Sequence, residues 1–109
     1  MNFDEYQEKS RKTAIYPDQG SNLVYPTLGL TSEAGEVADK LKKAIRDNDG
    51  KLDAERREAM IKEVGDVLWY AAQICTELGV SMDEVAAKNI EKLYSRLDRD
   101  KISGSGDDR

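Results

Sequence analysis

The chain has 109 residues, with 22 acidic side chains against 17 basic ones, one cysteine and no histidine. That length holds a single domain, and a net charge of −5 argues against nucleic-acid polymers, which call for a basic face. Without histidine, His general bases, Ser-His and Cys-His nucleophile systems and His-containing zinc sites are excluded, so any proton chemistry falls to carboxylates, a metal or both.

Cys75 has no second cysteine to pair with, which fits a reducing compartment. No apolar run approaches a membrane span, and Met1-Asn2-Phe3-Asp4-Glu5 has neither the basic nor the apolar region of a signal peptide. The expected location is the cytoplasm.

Only Pro17 and Pro26 interrupt the chain, and no stretch alternates apolar and polar residues long enough for a sheet, so the expected class is all-α. Helix one is expected over roughly Phe3 to Ala14, ending before Pro17, with a loop through Asp18-Gln19-Gly20-Ser21-Asn22. Helix two follows from about Pro26, or a turn earlier, to Arg46, broken by Asn48-Asp49-Gly50. Asp47 to Asp53 looks like part of an EF-hand loop, but placing Gly50 at position six puts Ile45 and Arg56 where oxygen ligands must stand. The segment reads as a helix-breaking turn.

Helix three is expected from an Asp53 N-cap to Leu78, stopped by Gly79. At 1.5 Å per residue it is about 39 Å long, beyond the diameter of about 34 Å of a compact globule of this length. Its apolar residues form two rows, Met60-Val64-Val67-Ala71-Ile74-Leu78 and Ile61-Gly65-Leu68-Ala72-Cys75. So wide an apolar face fits a partner subunit, with Gly65 and the alanines allowing close approach; the alternative is the buried central helix of a monomeric bundle. Helix four opens on a Ser81/Glu84 capping box with Val80 and Val85 at the staple positions, and ends near Asp100. Residues 1–102 make the domain, and residues 103–109 a flexible polar tail.

Helix three also carries a polar row, Glu63, Asp66, Tyr70, Gln73 and Glu77, in which Glu63 and Asp66 share a face. Helix two carries Glu33 and Glu36 at the edge of an apolar stripe. An antiparallel hairpin would bring the two acidic pairs together. Such a cluster needs a cation, and an all-oxygen set suits Mg²⁺ or Mn²⁺ better than zinc. Against this stands the ordinary reading of an E-x-x-E as solvated surface. On helix four, Asn89, Lys92, Arg96 and Arg99 share a face. Asn89 and Lys92 suit a polyphosphate beside a metal cluster, whereas Arg99 reads as a solvated charge.

Gly29-Leu30-Thr31-Ser32-Glu33-Ala34-Gly35-Glu36-Val37-Ala38, followed by Glu63-Val64-Gly65-Asp66-Val67-Leu68-Trp69-Tyr70, resembles the MazG-like nucleotide pyrophosphohydrolases of the all-α NTP pyrophosphatase superfamily. Their motif is E-x-x-E, a variable spacer, then E-x-x-D; here residues 37–62 form the spacer. The resemblance extends from Tyr6-Gln7 and Ala14-Ile15-Tyr16-Pro17 to Lys88-Asn89-Ile90-Glu91-Lys92-Leu93. It implies a four-helix bundle-like fold assembled as a homodimer or a dimer of dimers. It also implies Mg²⁺-dependent cleavage of a (deoxy)nucleoside triphosphate to monophosphate and pyrophosphate, in nucleotide-pool house-cleaning. Glu33, Glu36, Glu63 and Asp66 would be the metal ligands, with Glu36 or Glu63 handling the attacking water. Asn89, Lys92, Arg96, Tyr70 and Trp69 would contact substrate. Phosphoribosyl-ATP pyrophosphohydrolases carry Tyr-His where this chain has Tyr70-Ala71, and dimeric dUTPases are longer, with uracil-specific elements that find no match here. The rival from another class is a noncatalytic helical dimer that binds nucleotide or a protein partner.

Overall fold

Asn2, Asp53 and Ser81 each close an extended segment and turn a side-chain oxygen onto the N–H three residues on, at Glu5 (2.9 Å), Arg56 (2.8 Å) and Glu84 (3.0 Å). These caps start three of the four helices in the computed structural model, which describes residues 1–109. The helices are α1 (Phe3–Arg11), α2 (Val24–Asp47), α3 (Ala54–Leu78) and α4 (Met82–Asp98), and there is no strand. The all-α expectation holds. At α2 the Asn22 carboxamide accepts from the Tyr25 N–H (3.0 Å), and Pro26 sits in the first turn, where no intrahelical donor is lost.

One boundary and one cap differ from the sequence expectation. Helix α1 stops at Arg11, because the Ser10 carbonyl accepts from both the Thr13 N–H (3.0 Å) and the Thr13 hydroxyl (2.6 Å) and ends the winding. Only half of the Ser81/Glu84 capping box forms: the Glu84 carboxylate turns away from the cap and pairs with Lys88 at 3.0 Å. The segment after α2 is a turn, with Asp49 and Gly50 at positive φ and the Asn48 and Gly50 N–H groups both on the Ala44 carbonyl. Gly79 ends α3 in the left-handed conformation at φ 71°.

Helices α2 and α3 form a long antiparallel hairpin. Helix α1 runs antiparallel along the C-terminal half of α3; α4 packs on α1 and the end of α3, and does not touch α2. The small core therefore lies at one end, where Ala72, Cys75 and Met82 meet Tyr6 and Val80. Burial there pushes the Cys75 thiol up, so it stays a neutral packing group.

The other end of the hairpin is open. Leu41, Ile45, Ile61 and Val64 are all exposed, Val64 at 53%, and Gly35 and Gly65 face open space. The second apolar row of α3 is thus buried at Ala72 and Cys75 but uncovered at Ile61, Gly65 and Leu68. A radius of gyration of 16.8 Å, against about 13 Å for a compact chain of this length, reflects that opening. The tail turns back on α4: Asp107 pairs with Lys92 (3.2 Å) and Arg96 (3.6 Å), and the Asp107 carbonyl also accepts from Arg96.

Candidate functional site

The antiparallel register of the hairpin sets Gly29 against Tyr70, Glu33 beside Glu63 and Asp66, and Lys40 against Glu63. Carboxylate oxygens of Glu33, Glu63 and Asp66 all lie within 4.8 Å of one another. Glu33 and Glu63 are half-buried, and Asp66 is open to solvent. The Glu33 carboxyl is raised above the ordinary range, first by loss of hydration and then by the charges of Asp66, Glu63 and Glu36. Three hard oxygen donors in mutual repulsion fit a divalent cation such as Mg²⁺ or Mn²⁺.

Glu36 is the fourth acidic residue of the paired motif. It is exposed, one turn along α2 from Glu33, and stands outside the three-carboxylate cluster. Spacing alone placed it with the others. The hairpin register brings the Glu33 turn of α2, rather than the Glu36 turn, onto both acids of α3.

Beside the cluster is a cavity of about 280 Å³ lined by Thr13, Glu33, Asp66, Trp69 and Tyr70. The Trp69 indole N–H donates to the Thr13 hydroxyl (2.8 Å), and the Trp69 and Tyr70 rings meet edge to face at 5.0 Å. A Cβ built on Gly29 would overlap the Tyr70 ring, so that close approach requires glycine there. Loss of hydration, followed by the neighbouring Tyr25 and Glu33, raises the Tyr70 phenol. Trp69 and Tyr70 therefore line one cavity with Glu33 and Asp66.

The α4 residues do not line this cavity. Asn89 is exposed, Lys92 faces Asp107, and Arg96, only 4% exposed, is held by the tail. Within one chain the structure does not bring Asn89, Lys92 or Arg96 to the acidic cluster.

The lower half of the same polar row on α3 has a different task. The Glu77 side chain, 1% exposed, accepts from the Gly20 N–H (2.9 Å), the Asn22 N–H (2.7 Å) and Arg11 (3.0 Å). These donors, led by Asn22, hold its carboxyl below the usual range. Arg11 also reaches the Tyr16 hydroxyl (2.6 Å) and the amide oxygen of fully buried Gln73 (3.2 Å), and Gln73 donates to Ser10 (3.1 Å). Tyr16 in turn stacks on Tyr25 at 5.1 Å. Glu77 thus fixes the loop that leads into α2.

Sequence reasoning passed over Lys40, whose ammonium lies 3.5 Å from Glu63, and Thr13. For Lys40 a signal was present: it lies seven residues after Glu33 and four after Glu36, on their face of α2. For Thr13 there was none, because its partner is 56 residues away.

A family model, MazG nucleotide pyrophosphohydrolase domain, matches residues 25–99. That span contains both acidic pairs, Trp69 and Tyr70, and the α4 residues Asn89, Lys92 and Arg96. The chain is also similar to the gene 37 protein of Mycobacterium phage L5, at 46% identity over 114 aligned positions that cover all of both chains. No solved structure matches it.

Proposed function

The chain belongs to the MazG nucleotide pyrophosphohydrolase family, and from that premise we propose that it cleaves the α–β phosphoanhydride of a (deoxy)nucleoside triphosphate in a metal-dependent reaction. The observation that carries this reading is the meeting of Glu33, Glu63 and Asp66 within 4.8 Å, drawn from both halves of the paired motif and set beside an aromatic cavity.

Mg²⁺, or Mn²⁺ in its place, would be held by Glu33, Glu63 and Asp66. Such an ion lowers the pKa of a bound water and offsets charge on the phosphates. Glu36, hydrated and outside the cluster, accepts the proton of the attacking water, with Glu63 beside it in the catalytic pair. The water oxygen bonds to the α-phosphorus while the bridging oxygen leaves with pyrophosphate. Trp69 and Tyr70 take the nucleoside, where aromatic faces stack on a base and tolerate many bases. This fits clearance of unwanted nucleotides from the cytoplasmic pool.

The uncovered apolar face of the hairpin supports a homodimer, or a dimer of dimers, in which a second copy covers Ile61, Val64 and Leu68. Assembly also gives the α4 residues Asn89 and Lys92 a route to a site on the partner.

The test is a screen of canonical and modified deoxynucleoside triphosphates with Mg²⁺ and with EDTA, resolving pyrophosphate from inorganic phosphate. Metal-dependent pyrophosphate release is expected, and Glu63→Gln should abolish it. Nucleotide binding without turnover at any metal concentration would instead establish the noncatalytic module.

A further inference from the structure

The hairpin is chemically polarised along its length. Toward Gly29 it presents Trp69 and Tyr70; at its middle it presents Glu33, Glu63 and Asp66; beyond them, toward the turn, Lys40, Lys43, Arg56 and Lys62 are interspersed with Asp53, Glu55 and Glu58. Two cavities meet at Lys40 on that far side, and one of them reaches Glu63. One, of about 440 Å³, is lined by Lys40, Glu55, Glu58, Ala59, Lys62 and Glu63. The other, of about 270 Å³, joins Lys40 to Lys43, Arg56, Asp53, Glu55 and Ala59.

The basic groups here differ in what holds them. Lys43 is paired with Asp39 at 2.7 Å, and Arg56 lies 3.8 Å from the Asp53 cap. Lys40 alone is paired with a residue of the acidic cluster, Glu63, at 3.5 Å, and its side chain is 30% exposed. When the Glu63 carboxylate is engaged by a cation, this ammonium loses its partner. It is then left lining two cavities, where a phosphate brought in by the substrate would compete for it with Glu55 and Glu58. A flexible four-carbon stem lets an ammonium exchange one anion for another without moving the backbone.

We propose that Lys40 binds the pyrophosphate end of the substrate, so that the nucleotide lies along the hairpin with its nucleoside at Trp69 and Tyr70 and its leaving group toward the α2–α3 turn. The proposal rests on the pyrophosphohydrolase reading for its choice of anion. It assigns the leaving group to α2, not to the Lys92 and Arg96 face of α4. On cleavage the bridging oxygen takes the electron pair of the broken α-phosphorus–oxygen bond, and Lys40 sits where that charge gathers.

Calorimetric titration of the full chain with inorganic pyrophosphate in Mg²⁺ tests this without any turnover. Lys40→Met should weaken pyrophosphate binding at least about tenfold, the scale of one charge-assisted hydrogen bond. Lys40→Arg should restore most of it. Binding of a nucleoside monophosphate should not change, and Lys88→Met, a change at an exposed α4 lysine paired with Glu84, should leave both titrations alone. Thermal unfolding of Lys40→Met at the wild-type temperature excludes a folding cause. Unchanged pyrophosphate affinity in Lys40→Met, or the same loss in Lys92→Met alone, overturns the assignment. If the protein releases no pyrophosphate from any nucleotide and Lys40 still governs pyrophosphate binding, the catalytic reading fails and the anion site stands.

Discussion

The two halves of α3 carry one continuous polar row, yet they live in opposite environments. Around Gln73 and Glu77 each polar group is matched: Arg11, Ser10, Gly20 and Asn22 supply donors or acceptors, and no buried side-chain polar atom lacks a partner. Around Glu63 and Asp66 three carboxylates crowd together, and one ammonium, that of Lys40, pairs with Glu63. The first arrangement is what a folded chain does with polar groups it must bury. The second sets like charges close together and raises the Glu33 carboxyl, an arrangement that a bound cation would relieve. Position along one helix thus separates residues that hold the fold from residues that crowd the site.

The sharpest way to break this contrast is to neutralise one acid in each half. Asp66→Asn should reduce pyrophosphate release about a thousandfold, the order expected when a metal ligand and its charge are lost, while calorimetry shows no fall in melting temperature. A clear loss of stability would place Asp66 among the structural groups.

Metal should act on one half only. At a hundredfold excess over its Kd, Mg²⁺ or Mn²⁺ should stabilise the wild type by about 2.7 kcal/mol. EDTA should reverse this, and Asp66→Asn should remove most of it.

Glu77→Gln should do the opposite of Asp66→Asn, lowering the melting temperature by more than about 5 °C while leaving metal affinity intact. The sign of its pH dependence follows from the depressed carboxyl. A group held below its unfolded value contributes stability above that value, and loses it as pH falls through the folded one. Wild-type stability should therefore decline on acidification below the ordinary carboxylate range, and Glu77→Gln should flatten that decline.

The smallest effect belongs to Gly29→Ala, in which the new methyl displaces the Tyr70 ring. KM should rise a few-fold to about tenfold, with kcat less affected. A change confined to melting temperature would return Tyr70 to the fold.

Much of this was legible from residue types at fixed local spacing. Asp53, Ser81 and Gly79 marked helix ends because capping is decided within three or four residues. Glu33, Glu63 and Asp66 could be paired because an antiparallel hairpin aligns two i, i+3 pairs. Glu36 shows the limit of that logic: which turn of α2 faces α3 depends on packing along the whole hairpin. The Glu77 network was not legible, since its donors lie 55 to 66 residues away and two of them are backbone N–H groups, which leave no mark in a sequence. Nor did a basic face on α4 disclose that Asp107 would lie across it.

The pairing of Arg11 with Glu77 has a consequence for how the molecule is made. The two residues are 66 positions apart, and α1 packs only on α3 and α4. During synthesis α1 therefore has no helix to pack on until the second half of α3 has left the ribosome. The α2–α3 hairpin makes its contacts without α1. The acidic cluster therefore needs only the hairpin, whereas the clamp beside it also needs the N-terminus.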